Sequence, residues 1–232
     1  MNADVTKGGS AAPRTMLNQA PQAHSFWYRA RDCSIHLTSF FTALFLASCA
    51  APKDLQHHVI VSVKDQRLVL LDRGTLVATY PVSTSKYGLG DWLGSCRTPI
   101  GKLEVAQKIG EGVSPGTVFK DRRQTGEIVQ PDAPGRDPIV TRILWLRGRE
   151  FQNANAFRRD IYIHGTPEER NIGLPASYGC VRMRSADVIQ LYDMVGKGAQ
   201  VTIVDAPLAA VVPGLSSGTQ MAITNTATMV IR

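Results

Sequence analysis

The chain has 232 residues, 44% hydrophobic, 19% charged and 7% aromatic, with a formal net charge of +7. That composition excludes a wholly disordered chain, a collagen, a coiled coil and a polytopic membrane protein. Its four cysteines are too few for a disulfide-stapled mini-protein and lack the Cys-x-x-Cys pairing of a structural zinc site, while the basic excess suits acidic partners without choosing among nucleic acid, anionic lipid and a carboxylate-rich polymer.

In chain order, residues 1–34 are polar and show no sustained hydrophobic period, and Arg29 and Arg31 precede an apolar run, Ile35 to Ser48, centred on Phe40, Phe41, Leu44, Phe45 and Leu46. The run falls short of the roughly twenty residues of a membrane-spanning helix and matches the apolar region of an export signal. At its end, Leu46-Ala47-Ser48-Cys49 resembles the lipobox of bacterial lipoproteins, which implies cleavage before Cys49 and lipid on its thiol. Ala50, being other than Asp, then implies onward sorting to the outer membrane. Residues 1–49 are read as a lipoprotein signal with an N-terminal extension, 50–58 as a linker, 59–205 as the folded domain and 206–232 as a tail that is either loose or packed on the domain. An ordinary signal peptide, or a short buried helix, is the bland alternative for the apolar run. The basic excess survives removal of the signal, which carries Lys7, Arg14, Arg29 and Arg31 against Asp4 and Asp32.

From Val59 the texture is that of strands. Val59 to Val63 and Arg67 to Leu71 are β-branched and aliphatic runs split by Lys64-Asp65-Gln66, and Asp72-Arg73-Gly74 turns into a third strand over 75–82. Thr98-Pro99-Ile100-Gly101 places Pro and Gly as a type I turn requires, with a strand leaving it through Lys102 to Ala106. Between Gln107 and Asp160 four prolines and several glycines predict long loops, a single strand around Ile143 to Leu146 and a candidate lid. Asp160 to His164 reads as a strand ending in His-Gly, and Ala199 to Val204 as the last strand. One helix is expected between them, with Ser185 as N-cap, Asp187 in the first turn, and Val188, Leu191, Tyr192 and Val195 as its buried stripe.

The chemistry concentrates on two residues. Cys180 lies in Ser177-Tyr178-Gly179-Cys180-Val181-Arg182, downstream of His164, and a thiol needs a neighbouring base to become a useful nucleophile near neutral pH. Gly179 permits a backbone turn that aims successive N–H groups at one point, as an oxyanion hole requires. Taken singly, Cys180 reads as a small buried hydrophobe and His164 as a satisfied strand-end histidine. One Cys and one His are too few for a zinc site.

Taken together, Ile163-His164-Gly165-Thr166 followed by Ser177-Tyr178-Gly179-Cys180-Val181-Arg182 resembles the signature of the YkuD-like L,D-transpeptidase catalytic domain. The likeness runs upstream through Tyr80-Pro81-Val82-Ser83-Thr84 and Ser95-Cys96-Arg97-Thr98-Pro99-Ile100-Gly101, and downstream to Val201-Thr202-Ile203. The resemblance implies a mainly β sandwich with one or two short helices, acting on the stem peptides of peptidoglycan without a cofactor. It implies Cys180 as nucleophile, His164 as general base and then acid, and the main-chain N–H groups of Tyr178, Gly179 and Cys180 as oxyanion donors. Gly165 would orient the imidazole, Ser177 would shape the turn or touch substrate, and Arg182 would take a substrate carboxylate.

The departure is Tyr178, which stands where the family has His. A phenol donates one hydrogen bond but cannot be an imidazolium near neutrality. This keeps two alternatives to a transpeptidase in view, an L,D-carboxypeptidase and a non-catalytic wall-binding lipoprotein. Cys96 is read as a buried spectator, against a reversible bridge to Cys180 that would mask the nucleophile. A nucleic-acid partner is disfavoured, since no Lys/Arg run is interleaved with aromatics and the chain reads as exported. The expected location is the periplasm, with the N-terminal lipid in the inner leaflet of the outer membrane.

Overall fold

The computed structural model describes residues 52–212 and Gly214. The expected signal, its lipobox Cys49 and most of the C-terminal tail lie outside the described residues. Strands β1 (His57–Ser62), β2 (Arg67–Asp72) and β3 (Thr75–Pro81) form the expected antiparallel meander, with Val59 opposite Leu70 and Leu68 opposite Tyr80. The first turn ends at Gln66, whose φ is +49° and whose amide nitrogen donates to Val63 O and Thr84 Oγ1 while its oxygen accepts from Thr84 N–H. A left-handed residue without a glycine's freedom is held there by its own side chain.

β10 (Gln200–Val204) lies parallel to β1, and beyond it come β4 (Gly101–Ile109) and β7 (Ile139–Gly148). From β7 the ladder branches to β5 (Thr117–Lys120) with β6 (Arg123–Ile128), and to β8 (Tyr162–Gly165) with β9 (Val181–Met183). The residue after Val82 brings the two ends together, because Ser83 N–H donates to Arg182 O and Arg182 N–H to Ser83 O, both at 2.9 Å. One mostly β ladder therefore closes through β9. Its enclosed face carries a single core of Val59, Val61, Leu68, Leu70, Leu144, Leu146, Ile163, Val181, Met183 and their neighbours. The unbroken apolar runs of β1 and β2 follow from burial on both faces. Ile60, Val69 and Leu71 point away from the main core, onto Leu208 and Val212.

Those last two residues belong to the segment read as a tail. A short helix there, α2 (Leu208–Val211), buries Leu208 completely, so the start of the tail is part of the domain. The preceding helix α1 (Ser185–Met194) turns the expected stripe inward, with Val188, Leu191 and Tyr192 buried and Val195 just beyond its end. Ser185 is not its cap. The cap position is Arg184, and Ser185 is the first helical residue, its N–H held at 2.8 Å by the Glu169 carboxylate and its hydroxyl 2.7 Å from Thr141 Oγ1. A carboxylate from another segment thus serves the positive helix start. At the other end Lys108 Nζ donates to Tyr192 O and Val195 O, at 2.7 and 2.8 Å.

The stretch from Gln107 to Asp160 departs most from expectation. It contains not one short strand but a ten-residue β7 and the β5–β6 hairpin, whose two-residue turn is Asp121-Arg122 with φ of +50° and +66°. Both central residues are left-handed, as the twist of a tight hairpin requires, although neither is Gly or Asn. The hairpin tip reaches toward the Cys180 side of β8 through Arg122, described below.

Candidate active site

β8 and β9 run parallel, with Ile163 opposite Val181 and His164 opposite Arg182. Alternation along β8 sends Ile163 into the main core and leaves Tyr162 and His164 on the other face. Cys180 immediately precedes β9 and packs against the cluster of Phe119, Ile143 and Tyr162. Tyr162 N–H donates to Cys180 Sγ at 3.4 Å, and Tyr162, against which the thiol packs, stands edge-on to the His164 ring with the centroids 6.5 Å apart. The thiol and the imidazole are not hydrogen-bonded to each other. Sγ has the carbonyl oxygen of Asp160 at 3.4 Å as acceptor, and His164 Nδ1 bonds Gly165 O at 2.8 Å.

That last bond settles the histidine's tautomer. A carbonyl only accepts, so Nδ1 carries the proton, and in the neutral ring Nε2 holds the lone pair. Gly165 orients the imidazole through its main chain, and its lack of a side chain is required: a Cβ there would lie 2.7 Å from Val140 O. Burial, with Arg182 adding to it, holds the His164 imidazolium down to about 4. Burial also pushes the Cys180 thiol up to about 11, against the lowering effects of Tyr162 N–H, Arg182 and Arg159. The resting pair is therefore a neutral thiol beside a neutral imidazole.

The Ser177–Cys180 turn is built around Ser177. Its hydroxyl donates to Cys180 O at 2.6 Å and accepts from Gly179 N–H at 3.2 Å, and the residue is fully buried. Both bonds of the buried Ser177 hydroxyl lie within the turn. Gly179 has a φ of +123°, and a Cβ would stand 3.2 Å from Arg97 O and 3.3 Å from the Ile161 side chain. Its N–H is taken by Ser177, whereas the N–H groups of Tyr178 and Cys180 have no acceptor among the described residues.

Arg182 differs from expectation as well. Its guanidinium is 2.6 Å from the Asp137 carboxylate, with only 8% of the side chain exposed, and Asp137 also accepts from Thr166 Oγ1 at 2.5 Å. The arginine expected to meet a substrate carboxylate already has one. Tyr178 is 57% exposed, and its hydroxyl accepts from Lys86 Nζ at 3.1 Å.

Three residues around the thiol carried no sequence signal. Arg122, at the hairpin tip, bonds Asp160 at 2.9 Å and Tyr162 Oη at 3.1 Å, tying down both residues whose main chain touches Sγ. Arg159 and Asp91 form a buried ion pair at 2.8 Å, and Arg159 also donates to Gly90 O and Arg97 O beneath Gly179. Cys96 is exposed and not buried as expected, because it sits in the surface loop before Arg97, and both it and the half-buried Cys180 are free thiols with no bridge between them in this structure. A separate concavity of about 420 Å³, lined by Lys53, His57, His58, Lys102, Glu104 and Arg149 among others, contains none of the residues around Cys180. Its histidines are bonded to Asp54 and Thr202.

The sequence profile described as the L,D-transpeptidase catalytic domain, YkuD, matches residues 56–203, which span the closed ladder, His164 and Cys180. The chain belongs to this family. Among curated relatives, the putative L,D-transpeptidase YkuD of Bacillus licheniformis is 26% identical over 152 residues, covering 66% of this chain and 68% of the relative. The probable L,D-transpeptidase YbiS of Escherichia coli is 28% identical over 167 residues, covering 68% of this chain and 48% of the relative. A solved L,D-transpeptidase from Mycobacterium smegmatis aligns at 18% identity with a TM-score of 0.41, covering 64% of this chain and 58% of that one. The chain thus spans about half of the E. coli relative and somewhat more than half of the mycobacterial structure.

Proposed function

We propose that this YkuD-family chain is a peptidoglycan L,D-transpeptidase that works through a thioester on Cys180. The observation that carries the reading is the His164 tautomer: Nδ1–H on Gly165 O leaves Nε2 as a base on the strand beside the nucleophile's turn. As Sγ attacks the carbonyl of the third residue of a tetrapeptide stem, its proton leaves its hydrogen bond with Asp160 O and passes from Sγ to His164 Nε2. His164 then protonates the leaving nitrogen of the terminal D-Ala, and the thioester remains. An incoming amine loses its proton to His164, attacks the thioester and expels the thiolate, which takes the proton back. Because the resting pair is neutral, proton transfer accompanies attack instead of preceding it, and the N–H groups of Tyr178 and Cys180, without an acceptor among the described residues, serve as donors to the oxyanion.

Incubation with tetrapeptide muropeptides tests this reading. Release of D-Ala with crosslinked product, lost in Cys180→Ala and His164→Gln, is expected; release without crosslinks makes the protein an L,D-carboxypeptidase. The raised thiol and its bond to Asp160 O in place of His164 favour one other reading, a non-catalytic peptidoglycan-binding protein, which predicts stem-peptide binding with no acyl-enzyme. The sequence of residues 1–49 supports a lipid-anchored protein of the periplasm, held in the inner leaflet of the outer membrane through Cys49. Incorporation of labelled palmitate, abolished by Cys49→Ser, is the expected result.

A further inference from the structure

One exposed cation is fastened to the nucleophile's turn. Lys86 N–H donates to Ser177 O at 3.1 Å, and Thr84 O accepts from the N–H groups of both Ala176 and Ser177, so segments 84–86 and 176–178 are tied main chain to main chain. The ammonium is also held. Nζ donates to Tyr178 Oη at 3.1 Å and stands 4.4 Å from the centroid of the Tyr178 ring and 5.3 Å from that of Tyr87, the two rings lying 5.7 Å apart. The hydroxyl and the ring faces favour the charged form, and the bond to Tyr178 raises the lysine above its ordinary value. A surface lysine ordinarily loses side-chain rotamer freedom when a ligand fixes it. Here that ordering is already present before any ligand arrives.

Among the described residues, no carboxylate lies within ion-pair distance of Lys86, whereas Arg182, whose Cζ is 5.9 Å from the centroid of the Tyr178 ring, is neutralised by Asp137. Lys86 therefore presents an organised, accessible positive charge on the segment tied to the turn that carries Cys180. In the reaction proposed above, the nitrogen bonded to the reacting carbonyl sits on a carbon that bears a carboxylate. This holds for the terminal D-Ala that leaves, and for an acceptor diamino acid whose amine and carboxylate share a carbon.

We infer that Lys86, seated on Tyr178, anchors the carboxylate on the amine side of the reaction, first that of the departing residue and then that of the incoming amine. The inference rests on the acyl-transfer reading and specifies its substrate: a stem ending in a free α-carboxylate, and an amine acceptor that carries one. A single anchor serving both half-reactions follows from the shared position of the carboxylate relative to the reacting nitrogen. It also gives Tyr178 a role that an imidazole would fill less well, because the phenol keeps an accepting oxygen and a ring face for the ammonium at neutral pH, whereas an imidazole that gains a proton loses its acceptor and repels the cation.

The test compares the full chain acting on a tetrapeptide stem ending in D-Ala with the same stem ending in D-alaninamide. Wild type is expected to favour the acid roughly five- to tenfold in kcat/KM, the range of an ordered but solvent-accessible charge-assisted contact. Lys86→Met should bring that ratio close to one, Lys86→Arg should retain most of it, and Tyr178→Phe should give an intermediate value. An undiminished preference in Lys86→Met overturns the inference, as does a wild type that turns over both stems equally. Calorimetric binding of the two stems to Cys180→Ala separates the anchor from the chemistry. An acid-over-amide preference there that depends on Lys86, with no turnover in wild type, retains the anchor and removes the acyl-transfer reading. Equal binding of the two stems removes the anchor.

Discussion

Replacing Asp91 with Asn tests whether the turn carrying Cys180 is supported from beneath by a buried charge pair. Asp91 and Arg159 are each 5% exposed at the side chain and 2.8 Å apart, and Asp91 also accepts from Asn155 N–H at 2.6 Å. Asn keeps the shape and removes the charge, leaving the Arg159 guanidinium buried without a counter-ion. Such a broken pair costs about 3–5 kcal/mol. For a domain of this size each kcal/mol lowers the melting temperature by about 2–4 °C, so a fall of about 10 °C is expected by calorimetry. The effect should extend to the site, because Arg159 holds Arg97 O at 2.6 Å, and Arg97 O lies against Gly179. Alkylation of Cys180 should therefore become less uniform in the variant. Replacing both partners, Asp91→Leu with Arg159→Met, should recover much of the stability without restoring the turn. A melting temperature within about 2 °C of wild type for Asp91→Asn, or a double variant less stable than the single one, would refute the reasoning.

Burial of the neutral site pair sets a pH window for stability. His164 is held at about 4 against an ordinary 6.5, so the unfolded chain binds the extra proton, and the contribution is complete above pH 6.5 and lost as pH falls toward 4. Cys180 is raised from 9.0 to about 11, so the folded chain keeps its proton longer, and the contribution is complete below pH 9 and lost as pH rises toward 11. Urea midpoints should show the acid slope flattened in His164→Gln and the alkaline slope flattened in Cys180→Ala; slopes equal to wild type would contradict the assignment. Lys108→Met removes the cation from the last carbonyls of α1 and should lower unfolding free energy by about 1–2 kcal/mol, measured by urea denaturation. Leu208→Ala should cost about 2–3 kcal/mol by the same measurement, since Leu208 is fully buried against Ile60, Val69 and Leu71; a neutral change would return this segment to a loose tail.

The parts of the fold that were legible in the sequence are those whose signal is local. The β1–β2 hairpin, β8 and the α1 stripe each show their period within a few residues, and Gly179 marks its own turn. The β5–β6 hairpin was hidden because Asp121-Arg122 lacks the Gly or Asn that announces such a turn, and because every residue of β6 is exposed and so shows no alternation. The helix cap was misplaced because Ser185, though a good cap by type, is engaged by Glu169 and Thr141 from other segments. At the site, the motif gave His164, Gly165, Gly179 and Cys180 their places. The partners that set their chemistry are distant in sequence: Asp137 on Arg182, Arg122 on Asp160, Asp91 on Arg159 and Lys86 on Tyr178. An arginine read alone looks available to a substrate. Only the fold reveals that Arg182 is already paired and that Lys86 is not.

The central claim is that Cys180 forms a thioester with the stem peptide, and intact-mass measurement after brief incubation with a tetrapeptide stem addresses it most directly. The account predicts an added mass equal to the stem less its terminal D-Ala, mapped to the Cys180 peptide, discharged by an added amine and absent in Cys180→Ala. Stem binding at saturating concentration with no covalent mass on Cys180 would contradict it.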